Sequence, residues 1–210
     1  MSTLRSDIVT RARDYLNEAV ADIYSDVQLR RYMTEEILSL PSKDIFLEQL
    51  WQTTLVSTTD YSTGISLPTG TFKLEELKQT SDTSITVNTV WEDLRGYDFY
   101  ANALFLNFTP SDITLRGKIS KSFTPPTDDV TAMDVPDEKC EIVVWGVVIR
   151  AYRQLIGYLT RSKNWDAISK PDGININSVR GWLQDARQDY KELVQVYATS
   201  TRPRDIDLVS

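Results

Sequence analysis

The stretch DVPDEKCEIVVWGVVI, residues 134–149, decides how the rest of the chain is arranged. Pro136 suits the first turn of a helix, and the acidic Asp137 and Glu138 interact favourably with the helix dipole there. Ile142–Ile149 is apolar on all sides, so it must be buried as either a helix or a strand. The helical period resumes further on, at Tyr152, Leu155, Ile156 and Leu159. This favours a long, buried central helix over the strand that the Val and Ile content also allows.

Two helices are predicted at the N-terminus. Apolar residues three and four apart indicate the first from about Leu4 to Tyr24. The second is predicted from Asp26, as its cap, to Leu40, where a proline follows. Lys43–Leu50 is interpreted as one or two further helical turns.

The last helix has the clearest pattern. It is predicted to follow a turn in Lys170–Ile176 and to begin at a cap on Asn177 or Ser178. Its apolar stripe consists of Val179, Trp182, Leu183, Ala186, Tyr190, Leu193, Val194 and Tyr197. The opposite face is charged, so we expect this helix to pack on the central helix with one side in solvent.

Between the second helix and the central helix the pattern changes to strands. The segment Thr53–Phe123 is rich in Thr, Val, Ile and aromatic residues, with turn residues between short runs. Strands are predicted near Thr53–Thr59, Gly64–Leu67, Phe72–Lys78, Ile85–Val90, Leu104–Phe108 and Leu115–Phe123. Thr114–Lys121 carries three cations and is expected at a sheet edge. A short helix is predicted near Leu94–Asn102.

Together these patterns predict an α+β fold. It is mainly an α-helical bundle of about four helices, with a β-rich insertion between the second and third and an extended C-terminal tail. The predicted parts are residues 1–50 for the N-terminal helices, 51–125 for the insertion, 126–198 for the C-terminal helices, and 199–210 for the tail. Residues 124–134, with two prolines and several acids, are predicted to be a linker.

The composition excludes several kinds of function. The 210 residues include no histidine, which removes Ser-His, Cys-His and His-metal sites at once. The net charge of −7 disfavours a role in gripping nucleic-acid phosphates. The single cysteine, Cys140, has Glu138 and Glu141 close by, so we expect a packed cysteine rather than a reactive one. We also expect no membrane span and no signal peptide, and therefore synthesis in the cytoplasm.

Adjacent acids are the remaining candidates for chemistry. They occur at 35–36, 75–76 and 128–129, and sequence neighbours point about 100° apart on a helix or to opposite faces of a strand. We therefore interpret them as solvated. Asp128, Asp129 and Asp134 offer oxygen ligands but lack the spacing of an EF-hand loop. The sequence thus predicts no catalytic residue, no cofactor and no metal site.

The C-terminal tail alternates charged and apolar residues. Its residues are Arg202, Pro203, Arg204, Asp205, Ile206, Asp207, Leu208 and Val209. As a strand it would place Ile206 and Leu208 on one face, ready to add to another chain's sheet or to enter a groove. The alternative interpretation is a frayed terminus.

The order of these elements carries a resemblance. An RDYLN helix at Arg13–Asn17 is followed by a Thr-rich strand at Thr53–Thr59 and by TGISLPTGTFKL at Thr63–Leu74. DVPDE at Asp134–Glu138 then opens the apolar helix, and an amphipathic helix and a charged tail complete the chain. In this order the chain resembles the head-to-tail connector (adaptor or head-completion) proteins of tailed bacteriophages.

The resemblance implies a structural protein of the virion neck, made in the host cytoplasm, and not an enzyme. It implies a homo-oligomeric ring, commonly a dodecamer, that contacts the portal protein and a downstream tail or neck protein, with no membrane. The segment that reaches the portal would be Thr199–Ser210, with Arg202–Val209 as its docking residues. DNA would cross the ring without sequence-specific binding, and twelve copies would carry a total charge of roughly −84, which discourages DNA from adhering. The alternatives are another virion part, such as a tail terminator or head-closure protein, a carboxylate-based enzyme, or a host-binding module.

Overall fold

The computed structural model of the chain describes residues 3–16, 23–82, 85–108, 112–161 and 175–200. They form a mixed α+β protein. The described helices are α1 (Arg5–Tyr15), α2 (Asp26–Ser39), α3 (Cys140–Arg161) and α4 (Ile176–Ser200). The described strands are β1 (Leu47–Leu55), β2 (Ile65–Ser66), β3 (Thr71–Thr80), β4 (Glu92–Asp93), β5 (Tyr97–Tyr100), β6 (Ala103–Leu106) and β7 (Ile113–Lys121). The chain divides into two compact units, one of Met1–Ile45 with Phe123–Ser210, the other of Phe46–Ser122.

Helix α3 is the centre of the first unit. It packs against α1, α2 and α4. Its apolar run is buried as predicted: Ile142, Val143, Val144 and Val148 are fully buried. Burying one such side chain stabilises a fold by roughly 1.5–3 kcal/mol, so this run alone is a large part of what holds the helices together.

The segment Asp137–Thr160 is long and apolar enough to cross a membrane by length and composition alone. In the structure, 56% of its most apolar window is buried. Because the core helix of a globular unit meets the same criterion, its apolar length does not by itself indicate a membrane span.

Three helix ends lie at other residues than predicted, and the local backbone angles or hydrogen bonds show why. Helix α1 ends at Tyr15, because Leu16 has extended backbone angles, and it is therefore shorter than predicted. Helix α2 is capped by Ser25 rather than Asp26. The Ser25 N–H donates to Gln28 Oε1 at 2.9 Å, which completes a capping box. Helix α4 is capped by Asn175, whose Oδ1 accepts the Ser178 N–H at 2.9 Å.

The helical turns predicted at Lys43–Leu50 are wrong. A 3₁₀ turn at Leu40–Lys43 ends at Asp44, which has φ of 58° in the left-handed region and so redirects the chain. Strand β1 begins at Leu47 and pairs over nine residues with β7. This long-range pairing overrides the local helical pattern of the segment.

The second unit contains two antiparallel sheets, ordered β1-β7-β3-β4 and β2-β6-β5. Strand β7 lies between β1 and β3, so the edge position predicted for Thr114–Lys121 is wrong. Its cations are accommodated inside the sheet by specific partners. Lys118 Nζ contacts Glu48 at 3.1 Å and Glu75 at 3.5 Å, and the Arg116 guanidinium stacks over the Trp91 ring.

The helix predicted at Leu94–Asn102 is also wrong. Ala101 and Asn102 both have positive φ, and they form the two-residue turn between β5 and β6. The strand predicted at Ile85–Val90 is a turn instead, in which the Thr89 N–H donates to the Thr86 carbonyl. The other predicted strands exist with shifted ends.

The sheets of the second unit enclose their own apolar core. The core consists of Leu55, Ile65, Leu77, Leu94, Leu104, Ile113 and Leu115. Trp51 and Leu74 are among the partly buried residues that pack against it. The second unit therefore has the hydrophobic interior that an independently ordered domain requires.

Candidate functional site

The tail residues that the sequence singled out, Arg202–Val209, lie outside the described residues. Within the described residues, the densest group of interacting ionisable side chains surrounds Glu36 in the first unit. The carboxylate of Glu36 is buried, with only 5% of its side chain exposed. A buried carboxylate is stable only where charged or hydrogen-bonding groups replace its water.

Three side chains supply that replacement, each from a different element. Lys43 Nζ, after α2, lies 2.5 Å from Glu36 Oε1, and the Tyr190 hydroxyl of α4 donates to the same oxygen at 2.6 Å. Arg150 of α3 donates to Oε2 at 3.2 Å. The Lys43 ammonium also lies 5.0 Å from the centre of the Tyr190 ring. We call Glu36, Lys43, Arg150 and Tyr190 the Glu36 cluster.

A glycine makes the close approach of Glu36 to α3 possible. A Cβ atom built on Gly146 would lie 2.3 Å from Glu36 Cγ and 2.4 Å from Cδ. Real Cβ atoms never approach other atoms so closely, so any side chain at Gly146 must displace Glu36. Gly146 is therefore required for packing, although glycine weakens an α-helix.

Glu35, next to Glu36, lies at the exposed side of the same cluster. It pairs with Arg150 NH1 at 3.1 Å and with Arg31 at 3.2 Å. The sequence interpretation of 35–36 as a solvated pair holds for Glu35 and is wrong for Glu36. Glu36 lies three, four and seven residues after Met33, Tyr32 and Leu29, all buried, and this spacing is the sequence signal that places it on the apolar face.

The environment of Tyr190 strongly raises the pKa of its phenol above the ordinary value of 10.0. Burial is the largest cause, followed by the nearby negative charge of Glu36. Burial likewise raises the pKa of Tyr24, whose hydroxyl donates to the Ala151 carbonyl at 2.5 Å. Both phenols are therefore held neutral as hydrogen-bond donors.

These raised pKa values predict a loss of stability at high pH. A tyrosine whose pKa is higher when folded contributes stability that is complete below its unfolded pKa, and loses it as pH rises. We expect the free energy of unfolding to fall as pH rises above about 10. Tyr190→Phe should make this decline shallower, whereas Tyr100→Phe, at a side chain 75% exposed, should leave it unchanged. Urea unfolding between pH 8 and pH 11 measures both slopes, and equal slopes for the two variants would contradict the assignment to Tyr190.

The Glu36 cluster has a structural role, because it joins three helices through ion pairs and hydrogen bonds. Both carboxylate oxygens are already engaged, so neither is directed at an open space where a substrate could accept or lose a proton. The four members of the cluster come from α2, the turn after it, α3 and α4. The cluster therefore fixes how these three helices pack.

The acids of the predicted linker are engaged by the helices of the same unit. Asp129 forms ion pairs with Arg5 of α1 and Arg30 of α2. Asp137, which lies beyond the predicted linker, accepts hydrogen bonds from the N–H and hydroxyl of Thr3, before α1, both at 2.7 Å. These contacts hold the linker on the N-terminal helices.

The remaining linker acids bind backbone groups. Asp128 accepts the N–H groups of Val130 and Thr131, and hydrogen bonds from Thr131 lower its pKa. Asp134 accepts the Thr124 N–H at 3.1 Å. Each of the three acids considered as metal ligands thus has protein partners of its own. In residues 3–16, 23–82, 85–108, 112–161 and 175–200, no group of three or more Cys, Asp or Glu side chains is placed to hold a metal ion.

Cys140 is fully buried at the start of α3. Its Sγ lies 3.5 Å from the Val135 carbonyl, and burial raises the pKa of the thiol. The thiol is therefore uncharged and enclosed. The position agrees with the packed cysteine that the sequence indicated.

The described residues of the second unit line several open concavities. One, of about 540 Å³, is lined mainly by Thr59–Ser62 and Leu106–Phe108. Another, of about 500 Å³, contains Asp82 and Glu92 among its lining residues. In the first, hydrogen bonds from Ser62 lower the pKa of Asp60, which keeps this carboxyl ionised and unsuited to donating a proton near pH 7.

No protein-family model matches the sequence, and no curated protein matches it.

Proposed function

We propose that this chain is a head-to-tail adaptor of a tailed bacteriophage. In this proposal it forms a ring under the portal, commonly of twelve copies, extends the DNA channel and provides the platform for tail attachment. Its body is a bundle of about four helices with a β-rich insertion, and its extended tail reaches the portal. The protein works by assembling with neighbours and not by chemistry on a small molecule.

The observation that carries the proposal is the order of elements along the chain. Two N-terminal helices, a strand-rich segment, an acidic linker, an apolar helix opened by Val135-Pro136-Asp137-Glu138, an amphipathic helix and a charged tail follow one another. This order is the one on which the resemblance to phage adaptors rests. Several of the described acids add support, because they serve as ion-pair partners or hydrogen-bond acceptors within the body, among them Glu36, Asp128 and Asp129.

The net charge of −7 is consistent with a conduit for DNA. A ring of such subunits repels phosphates wherever acids line its bore, so DNA can pass without adhering. A protein designed to hold DNA would need the opposite charge balance.

The tail assignment leads to a direct prediction. A chain that ends at Thr201 is expected to keep its fold, because the ties around Glu36 and Asp129 lie within the body. The truncated chain is expected to lose binding to the portal ring of the same virus, because the docking residues Arg202–Val209 are absent. Sedimentation of a mixture of the portal ring and the truncated chain measures how much complex forms, and circular dichroism shows whether the truncated chain is folded.

A full-length chain with residues 202–209 in scrambled order is the matched control, since length and charge are kept. This scrambled chain should bind the portal as poorly as the truncated chain if docking requires Ile206 and Leu208 to alternate with the acidic residues. Undiminished portal binding by the truncated chain would refute the tail assignment. Binding to the end of a tail tube, with none to a portal, would favour a tail terminator instead.

A further inference from the structure

Strand β1 lies at the edge of its sheet, and one of its two sides has no described strand beside it. Leu47–Leu55 pairs with β7 along its whole length, and it is the first strand of its sheet. In the part of the chain that the structure describes, no other strand pairs with it. Alternate residues of an edge strand direct their N–H and C=O groups outward, so β1 presents such groups at every second residue along its nine-residue length.

The opposite edge of the same sheet is protected, which makes β1 different. Strand β4, at that edge, has only two residues, and both are acidic. The part of β3 that β4 does not cover has irregular register between Thr71 and Lys73 and between Leu74 and Glu76, and it carries several charges. Short length, charge and bulges are the usual ways in which proteins prevent strand addition. Strand β1 is nine residues long, pairs with β7 in unbroken register and carries a single charged residue, Glu48.

The sequence of β1 is suited to pairing with itself. In an antiparallel pair centred on Trp51, odd-numbered residues face odd-numbered ones and even-numbered residues face even-numbered ones. The residues whose backbone groups point outward in one copy therefore face residues of that same set in the other copy. Leu47 then faces Leu55, Trp51 faces Trp51, and Leu50 faces Gln52 of the second copy. Glu48 faces Thr54, which places the two Glu48 carboxylates about 20 Å apart along the strands, beyond the Debye length of about 8 Å. Such a pair contains no like-charge contact and adds an aromatic cross-strand contact.

We propose that the β1 edge binds a second copy of this chain through an antiparallel β1–β1 ladder. The two four-stranded sheets then form one continuous sheet across a two-fold axis. The pair also covers Leu50, which is 56% exposed, and the accessible part of Trp51 beside the apolar core. The backbone hydrogen bonds give the affinity, and the side-chain register gives the specificity.

This inference does not depend on the ring. A two-fold contact closes after two copies, whereas a ring needs a head-to-tail contact between different surfaces. In this inference the free chain is a dimer held by the β1 pair. When the chain assembles into a ring on a portal, head-to-tail contacts would replace that pair. Failure of the full-length chain to bind a portal would count against the proposed function alone. Failure of the full-length chain to form the β1 pair would count against this inference alone.

Sedimentation equilibrium of the full chain across a range of concentrations tests the pair. We expect a monomer–dimer equilibrium. Leu50→Lys combined with Gln52→Lys puts lysine opposite lysine twice and should raise the dissociation constant about tenfold. Leu50→Lys combined with Gln52→Glu changes the same two positions but puts opposite charges across the axis, so it should dimerise at least as well as the natural chain.

Two controls identify the occupant. Val87→Lys adds a charge at a fully exposed position away from β1 and should leave the equilibrium unchanged. A chain ending at Thr201 should also dimerise normally. If that chain is monomeric, the tail and not β1 provides the second strand, and the proposal is overturned.

A full chain that is monomeric at every concentration would also overturn the proposal, as would a dimer whose dissociation constant is unchanged in both charge variants. Circular dichroism of each variant separates lost pairing from lost folding, and the Lys–Glu variant decides the case if the Lys–Lys variant does not fold.

Discussion

Replacing Gly146 by alanine is expected to lower the free energy of unfolding by about 2–4 kcal/mol. The added Cβ would lie 2.3 Å from Glu36 Cγ, 2.4 Å from Cδ and 2.9 Å from Oε2, so the clash includes the carboxylate itself. Glu36 would have to move, and its contacts with Lys43 and Arg150 would move with it. The loss should be visible as a lower urea midpoint with an unchanged slope.

The sign of this effect is the opposite of what local propensity predicts. Alanine is favoured over glycine in a helix interior by about 1 kcal/mol. Gly157 lies on the same helix, and a Cβ there would meet no atom within 4 Å. Gly157→Ala should therefore stabilise the chain by up to about 1 kcal/mol. If both substitutions stabilise the chain, the close packing of Glu36 against α3 is wrong.

The helical part of the fold was largely predictable because its signals are local. The apolar run at Ile142–Ile149 and the stripe of α4 both have the period of a helix with a buried face, and both helices are present. The caps were missed by one to three residues, since Ser25 and Asn175 lie next to other residues that cap equally well. The early end of α1 at Tyr15 had no such signal, because the apolar spacing continues past it.

The sequence predicted that residues 53–123 form strands, but it did not predict which strands pair with each other. Thr, Val and aromatic residues identified most strands, whereas the position of β7 inside its sheet depends on partners that are distant in sequence. Its cations suggested an edge, but Glu48 from β1 and Glu75 from β3 pair with Lys118. Likewise, the turn at Ala101–Asn102 uses left-handed backbone angles at both residues, and alanine, unlike asparagine, seldom adopts them.

The Glu36 cluster was missed for a physical reason. Acids are solvated in most proteins, and the partners that make a buried one stable come from residues 43, 150 and 190. Only two features of the sequence point to it. Glu36 has the spacing of a buried residue on α2, and Gly146 interrupts an otherwise bulky apolar helix. A glycine in a buried helix is often a site of close approach, and here it faces the carboxylate.

Replacing Glu36 by glutamine is expected to lower the free energy of unfolding by about 3 kcal/mol. The amide keeps the size of the side chain and one acceptor for Tyr190, but it removes the charge that Lys43 and Arg150 face. These two cations are only about a quarter exposed, so water replaces the carboxylate poorly. Glu35→Gln removes the neighbouring charge, which is 43% exposed, and should cost less than about 1 kcal/mol.

A double-mutant cycle connects the Glu36 carboxylate with the glycine opposite it. Glu36→Ala removes the atoms that Gly146→Ala would strike, so the second substitution should cost almost nothing in a Glu36→Ala chain and regain part of its helix propensity. The coupling energy between the two positions is then expected to be about 2 kcal/mol or more, measured by urea unfolding of the four chains. Additive effects would mean that Glu36 and Gly146 do not touch, and that some other contact makes each position sensitive. A large coupling together with a small effect of Glu36→Gln would separate shape from charge: the side chain would then be needed to fill space beside α3, and the ion pairs would contribute little.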